Sequence, residues 1–91
     1  NPYRDLCSCR LDLTFLAGLE AADAFLRAYE RARGRAMPWM FLWDILNAWQ
    51  SIPWLPVWVE PYHELGRREI TLELLRARLD RYIEDALSRT P

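Results

Sequence analysis

Ninety-one residues with 52% hydrophobic content and a net charge of −1 describe one folded domain or part of one, which excludes a disordered chain and lacks the basic excess that nucleic acid or an anionic membrane attracts. All 12 basic residues are arginine, so Schiff-base chemistry and a phosphate-gripping lysine are excluded within the chain. A body of this size buries roughly 60–65% of its unfolded surface. That is less than its apolar content asks for, and it points to a piece docked on more protein or to an oligomer.

The first helix is expected over 2–16. Asn1 is a good N-cap and Pro2 suits the first helical position. Leu6, Leu13 and Leu16 form one stripe and Leu11 and Phe15 another, which predicts burial on two sides, as in a central helix. Ala17-Gly18 ends it. Cys7 and Cys9 are the only cysteines. Two residues apart on a helix they diverge and cannot pair, so they read as buried free thiols of a reducing, cytoplasmic compartment.

A second helix is expected over 20–33, with a small-residue face of Ala21, Ala24, Phe25, Ala28, Tyr29 and Ala32 suited to close packing. Asp23 and Arg27 are spaced as an exposed i,i+4 pair. Gly34 signals the C-terminus, with Arg31 and Arg33 at the negative end of the dipole.

The third helix, 38–50, is apolar almost all round. Trp39, Trp43, Leu46 and Trp49 line one side, and Phe41, Ile45 and Ala48 another. Asp44 is its only charge. An unpartnered buried carboxylate is costly, so Asp44 either lies exposed on a narrow stripe or meets a ligand or partner.

From 51 to 70, the prolines at 53, 56 and 61 predict a long loop with no regular helix. Its alternating large side chains argue that the loop packs, as a lid would. Thr71 caps a last helix, 72–88, whose stripe of Leu72, Leu75, Leu79, Ile83 and Leu87 marks an outer helix with one buried face. The expected fold is therefore all-α, a single helical domain or subdomain over 1–91. No run approaches the roughly 18 apolar residues of a membrane-spanning helix.

No nucleophile–base pair, Gly-rich phosphate loop or metal-ligand spacing is visible, so no catalytic residue is assigned. His63 reads as a solvated or hydrogen-bonded loop side chain. Between Ala36 and Gly66 lie all five tryptophans and the acids Asp44, Glu60 and Glu64, with no Lys or Arg. Aromatic faces and carboxylates without competing cations suit an organic cation or a flat apolar ligand. Trp39, Trp43, Asp44 and Glu60 are the candidate substrate-binding residues. The competing reading is that the tryptophans fill the core and an interface. If Asp44 meets a cationic ligand, Asp44→Asn lowers affinity and leaves the melting temperature unchanged.

Tyr3-Arg4-Asp5-Leu6, followed by Glu20-Ala21-Ala22-Asp23-Ala24-Phe25-Leu26-Arg27-Ala28-Tyr29, resembles the C-terminal part of the aminoglycoside-phosphotransferase-like family. Members have a protein-kinase-like fold and phosphorylate hydroxyls of small molecules. The resemblance covers most of 1–50 and, more loosely, the last helix. It implies a C-terminal helical subdomain that begins just past the catalytic centre of a larger protein. It also implies that Asp5 braces the catalytic loop by accepting backbone hydrogen bonds. ATP and Mg²⁺ would belong to the complete enzyme and a small-molecule alcohol would be the substrate, while the partner of this chain would be the rest of that protein or another copy. Where aminoglycoside-modifying members carry acids, this chain reads Thr14-Phe15-Leu16, which suits a less charged, more apolar alcohol. The alternative is a non-catalytic helical module with a Trp-rich docking surface.

Overall fold

The computed structural model describes all residues from Asn1 to Pro91 and is all-helical. The elements are α1 (Pro2–Ala17), α2 (Leu19–Arg33), α3 (Met40–Ser51), a 3-10 turn (Ile52–Trp54), α4 (Leu55–Glu64) and α5 (Leu72–Ser88). Local chemistry explains most of the boundaries. The Asn1 carboxamide oxygen accepts from the Tyr3 amide at 3.0 Å, and the Thr71 hydroxyl accepts from the Leu74 amide at 3.2 Å; each satisfies a donor that a helix start leaves free. α1 and α2 are joined through Gly18 alone, at φ 104° and ψ 168°, a conformation that a residue with a Cβ rarely adopts. Gly34 ends α2 in the left-handed conformation, as its place after the last turn suggests.

The segment 51–70 departs from its expected form. It carries the 3-10 turn and a ten-residue helix, α4. The three prolines permit this because of where they fall. Pro53 and Pro56 occupy first turns, where an amide hydrogen has no intrahelical acceptor to lose. Pro61 is the one proline inside α4, and it removes a single ladder bond close to the C-terminal end. α4 buries Leu55 and lays Trp58, Val59 and Tyr62 against the main core. His63 closes the turn that follows, its Nε2 lying 3.0 Å from the Ile70 carbonyl oxygen.

α1 packs against α2, α3 and α5. Its buried residues, Leu6, Cys7, Arg10, Leu11, Thr14 and Phe15, form one broad face, not the expected two stripes; Leu13 is half-buried and Leu16 is 37% exposed. On α2 the buried residues are Leu19 and Ala22, with Leu26 and Tyr29 partly covered, so the inward side is rotated from the expected alanine-rich face. Asp23 turns towards Arg10 and not to Arg27. On α5, Leu75, Leu79, Tyr82 and Ala86 are buried, while Leu87 lies outside.

The apolar interior has two parts. The larger gathers Leu11, Phe15, Leu19, Ala48, Leu55, Ile70, Leu75, Leu79 and Tyr82; the smaller gathers Leu6, Cys7, Met37 and Met40. Two arginines from the far side of the chain close the end of α1, which has no basic residue in its last turn. Arg78 donates to the Phe15 carbonyl at 2.6 Å and Arg67 to the Leu16 carbonyl at 3.2 Å, satisfying carbonyls that a helix end leaves unpaired. A Cα radius of gyration of 13.2 Å matches the roughly 13 Å of a folded chain of about 100 residues.

Candidate functional site

α3 is the element on which the functional question turns, because both of its sides are apolar and only one is covered. Met40, Phe41, Asp44, Ala48 and Ser51 face inward. Trp39, Leu42, Leu46 and Trp49 face outward with exposures of 56%, 55%, 49% and 73%. Two aromatic neighbours hold the near end of this surface. Tyr3 stacks on Trp43 at 6.2 Å between ring centroids, and its hydroxyl accepts from the Trp39 amide at 3.3 Å.

Two clefts open beside α3. One, of about 570 Å³, is lined by Trp49, Gln50, Ile52, Pro53 and Trp54. The other, of about 310 Å³, runs between α1 and α3 and is lined by Arg4, Cys7, Ser8, Trp43, Leu46, Asn47 and Gln50. Neither contains a carboxylate.

Asp44 lies on the opposite side, with no exposed surface. Its partners come from two helices, α1 and α5, and from Arg89 just past the end of α5. Arg10 Nε donates to both carboxylate oxygens at 3.2 Å, the Tyr82 hydroxyl donates to Oδ1 at 2.6 Å, and Arg89 Nη2 donates to Oδ2 at 2.8 Å. Arg10 is also fully buried. Its Nη1 donates to the Ala22 carbonyl at 2.9 Å and to Asp23 at 3.3 Å. Its Nη2 sits 3.1 Å from Asp44 Oδ2 but off the angle of a hydrogen bond, so that contact is one of charge. The Tyr82 ring lies 5.8 Å from the guanidinium carbon, close enough for a cation–π contact.

The position of this cluster follows from the helices. On α1, Arg10 stands one turn from Leu6 of the smaller core and beside Leu11 of the larger; on α3, Asp44 stands one turn from Met40 and one from Ala48. The two charges meet at the junction of the two apolar clusters. Burial opposes the Arg10 charge, but Asp44 more than offsets it and holds the guanidinium above its ordinary range. Burial, and then the Asp44 charge, push the Tyr82 hydroxyl far above the usual range. Tyr82 is therefore a neutral donor at any physiological pH.

Asp44 thus finds its partner inside the chain. Its carboxylate is saturated by Arg10, Tyr82 and Arg89, which removes the reason for placing a cationic ligand against it. Trp39 lies on the outer side of α3, Trp43 is partly buried against the smaller core, and Glu60 is exposed on α4. The clefts beside α3 include Trp43 but neither Trp39 nor Glu60. Asp5 is exposed in the first turn of α1 and its carboxylate makes no hydrogen bond within the chain. Arg10, Tyr82 and Arg89 were not singled out from the sequence. The available signal was weak: Asp44 is the one charge of α3, but Arg10 shares α1 with Arg4, Asp5 and Asp12.

The cysteines are both unpaired, but only Cys7 is buried; Cys9 is exposed. Cys7 donates to the Arg4 carbonyl at 3.2 Å, and burial followed by the nearby Asp44 charge pushes its thiol up. Because the thiolate is the reactive form, a thiol reagent is expected to label one cysteine in the native chain, Cys9, and both in denaturant. Equal native labelling of Cys7, read by peptide mass, would contradict its burial.

No group of three or more His, Cys, Asp or Glu side chains is placed to hold a metal ion, and no helix is long and apolar enough to cross a membrane. The fold and site define an all-α helical domain with an internal ion-pair cluster and one uncovered aromatic face. Comparison of the chain with protein-family models, with curated proteins and with solved structures finds no match.

Proposed function

We propose that these residues form the C-terminal helical subdomain of an ATP-dependent phosphotransferase acting on a hydroxyl of a small molecule. The observation that carries this reading is the placement of Tyr3-Arg4-Asp5-Leu6. Leu6 is buried in the smaller core while Asp5, one residue away, presents an unpaired carboxylate on the outer side of α1. A carboxylate so placed is available to accept backbone N–H groups of a loop packed against α1, and charge-assisted bonds of that kind hold a loop in one geometry. ATP and Mg²⁺ would be held by residues outside these 91.

With Asp44 occupied, the acceptor wall reduces to Trp43 and the cleft it shares with Arg4, Ser8, Asn47 and Gln50. Trp39 and Glu60 stand away from this cleft. An indole with two amides and the Arg4 guanidinium, and no carboxylate, favours an apolar alcohol over a polycation. The second reading, a helical interaction module, is favoured by the outward indoles of α3, since exposed apolar patches of this kind mark interfaces.

The test is phosphate transfer from labelled ATP to a panel of apolar alcohols. A longer polypeptide that carries these residues behind a His-x-Asp-x(4)-Asn loop and a metal-binding Asp should be active, and the 91 residues alone inactive. In the active protein, Asp5→Ala should lower kcat by about 10²-fold, the scale of a small misplacement of catalytic groups, with little change in KM. Turnover by the 91 residues alone, or an unaltered kcat in Asp5→Ala, would remove the proposal.

A further inference from the structure

The outward stripe of α3 has an internal symmetry. Trp39, Leu42, Leu46 and Trp49 follow one another at intervals of three, four and three residues, the spacing of a helix–helix seam in which apolar residues recur every 3.5 positions on average. The order is the same from either end, with an indole outermost and a leucine next on each side of Asp44. Every member of the stripe is about half exposed or more.

We propose that this face is an isologous interface between two copies of the chain, with α3 packed antiparallel against its symmetry mate. A two-fold axis over position 44 sets Trp39 against the partner's Trp49 and Leu42 against the partner's Leu46, so one surface complements itself. Antiparallel helices also set opposite ends of their dipoles side by side. No like charges are brought together, because the only ionisable residue of α3 is Asp44, which points inward and is neutralised by Arg10. The absence of Lys and Arg between Ala36 and Gly66 leaves nothing on the stripe to attract an anionic partner.

The area is sufficient. Ile52 and Trp54, 46% and 55% exposed, extend the apolar surface beyond the end of α3. Together with the stripe they present on the order of 700 Å² per copy, from the size of such side chains. That exceeds the roughly 300–600 Å² patch of an ordinary monomer and approaches the roughly 800 Å² per partner of a stable interface.

The inference rests on the outer face of α3, of which Leu46 also borders the cleft shared with Trp43; its failure would leave Asp5 and its test untouched. The experiment is sedimentation velocity of the 91-residue chain over about 1–100 µM, the range in which a micromolar dimer assembles. The mass is expected to rise from 10.9 kDa to twice that value, and tryptophan emission to shift to the blue as indoles leave water. Leu42→Glu should keep the helical circular dichroism, because Leu42 is exposed and belongs to neither core cluster, yet sediment as a monomer. Leu46→Glu, across the proposed axis, should do the same. Leu42→Glu combined with Leu46→Arg should restore the dimer, since each new carboxylate then faces the new guanidinium of the other copy. A wild-type monomer at about 100 µM overturns the proposal. So does a dimer indifferent to both single variants, or one that the double variant fails to restore.

Discussion

Asp44→Asn is expected to destabilise the chain by about 3–5 kcal/mol, the cost of breaking a buried ion pair by neutralising one partner. The substitution preserves shape and leaves an oxygen for Tyr82, but it removes the charge that offsets the burial of Arg10. Arg10 has no exposed surface, so its guanidinium cannot turn to water; it keeps only the Ala22 carbonyl and the partly exposed Asp23. Arg89 is less affected, since it is partly exposed and still reaches Asp85 at 3.0 Å. Domains are stable by about 5–15 kcal/mol in total, so this one change consumes a large share. For a chain of this length it corresponds to a fall in melting temperature of about 12 °C or more. Urea denaturation checks the value. A loss under about 1 kcal/mol, the scale of an exposed pair, would show that the cluster is solvated. Replacing both charges, Arg10→Met with Asp44→Leu, should recover most of the loss, because well-packed apolar groups often equal a buried ion pair in stability. The outcome expected from an externally paired Asp44, an unchanged melting temperature, is thereby reversed.

Phe15→Ala should cost a similar amount, about 3–5 kcal/mol, through lost burial and the cavity left behind. Phe15 is 1% exposed in the larger core and meets the Trp58 ring at 5.7 Å with a 56° tilt, the offset geometry that aromatic pairs favour. The site cannot collapse easily, since Arg78 holds the Phe15 carbonyl and Leu11 of α1 and Leu19 of α2 are buried in the same core. Leu16→Ala, one residue along the same helix, should cost under about 1 kcal/mol, because Leu16 lies near the surface. Equal losses at the two positions would mean that α1 is buried on two sides after all. Trp58 emission should move to the red in Phe15→Ala as its packing loosens.

The difference between Phe15 and Leu16 shows where the sequence was legible. Helix ends were readable because Asn1, Pro2, Gly34 and Thr71 act within a turn of their own position. Four helices stand within a few residues of their expected bounds. The fifth, α4, was hidden by its prolines. Two of the three fall where the missing amide costs nothing, but a count of prolines does not register position within a helix that has not yet been recognised. The faces were less legible than the ends. On α1 and α5 apolar residues occur on more than one side, so periodicity allowed more than one inward direction, and on both helices the chosen stripe included a residue that lies outside.

Asp44 is the clearest case. The sequence marked it as anomalous, a single charge on an apolar helix, but its partner Arg10 is 34 positions away and Tyr82 and Arg89 are at the other end of the chain. Local chemistry by itself determined that this protein is helical, where most of its helices begin and end, and that it has more apolar surface than it can cover. Only the tertiary structure decided which side of α3 turns inward. Both sides are greasy enough to be buried, and the choice goes to the one that lets Asp44 reach Arg10, because a carboxylate leaves water readily only for a partner already in place. The indoles of Trp39 and Trp49 are left outside as the consequence.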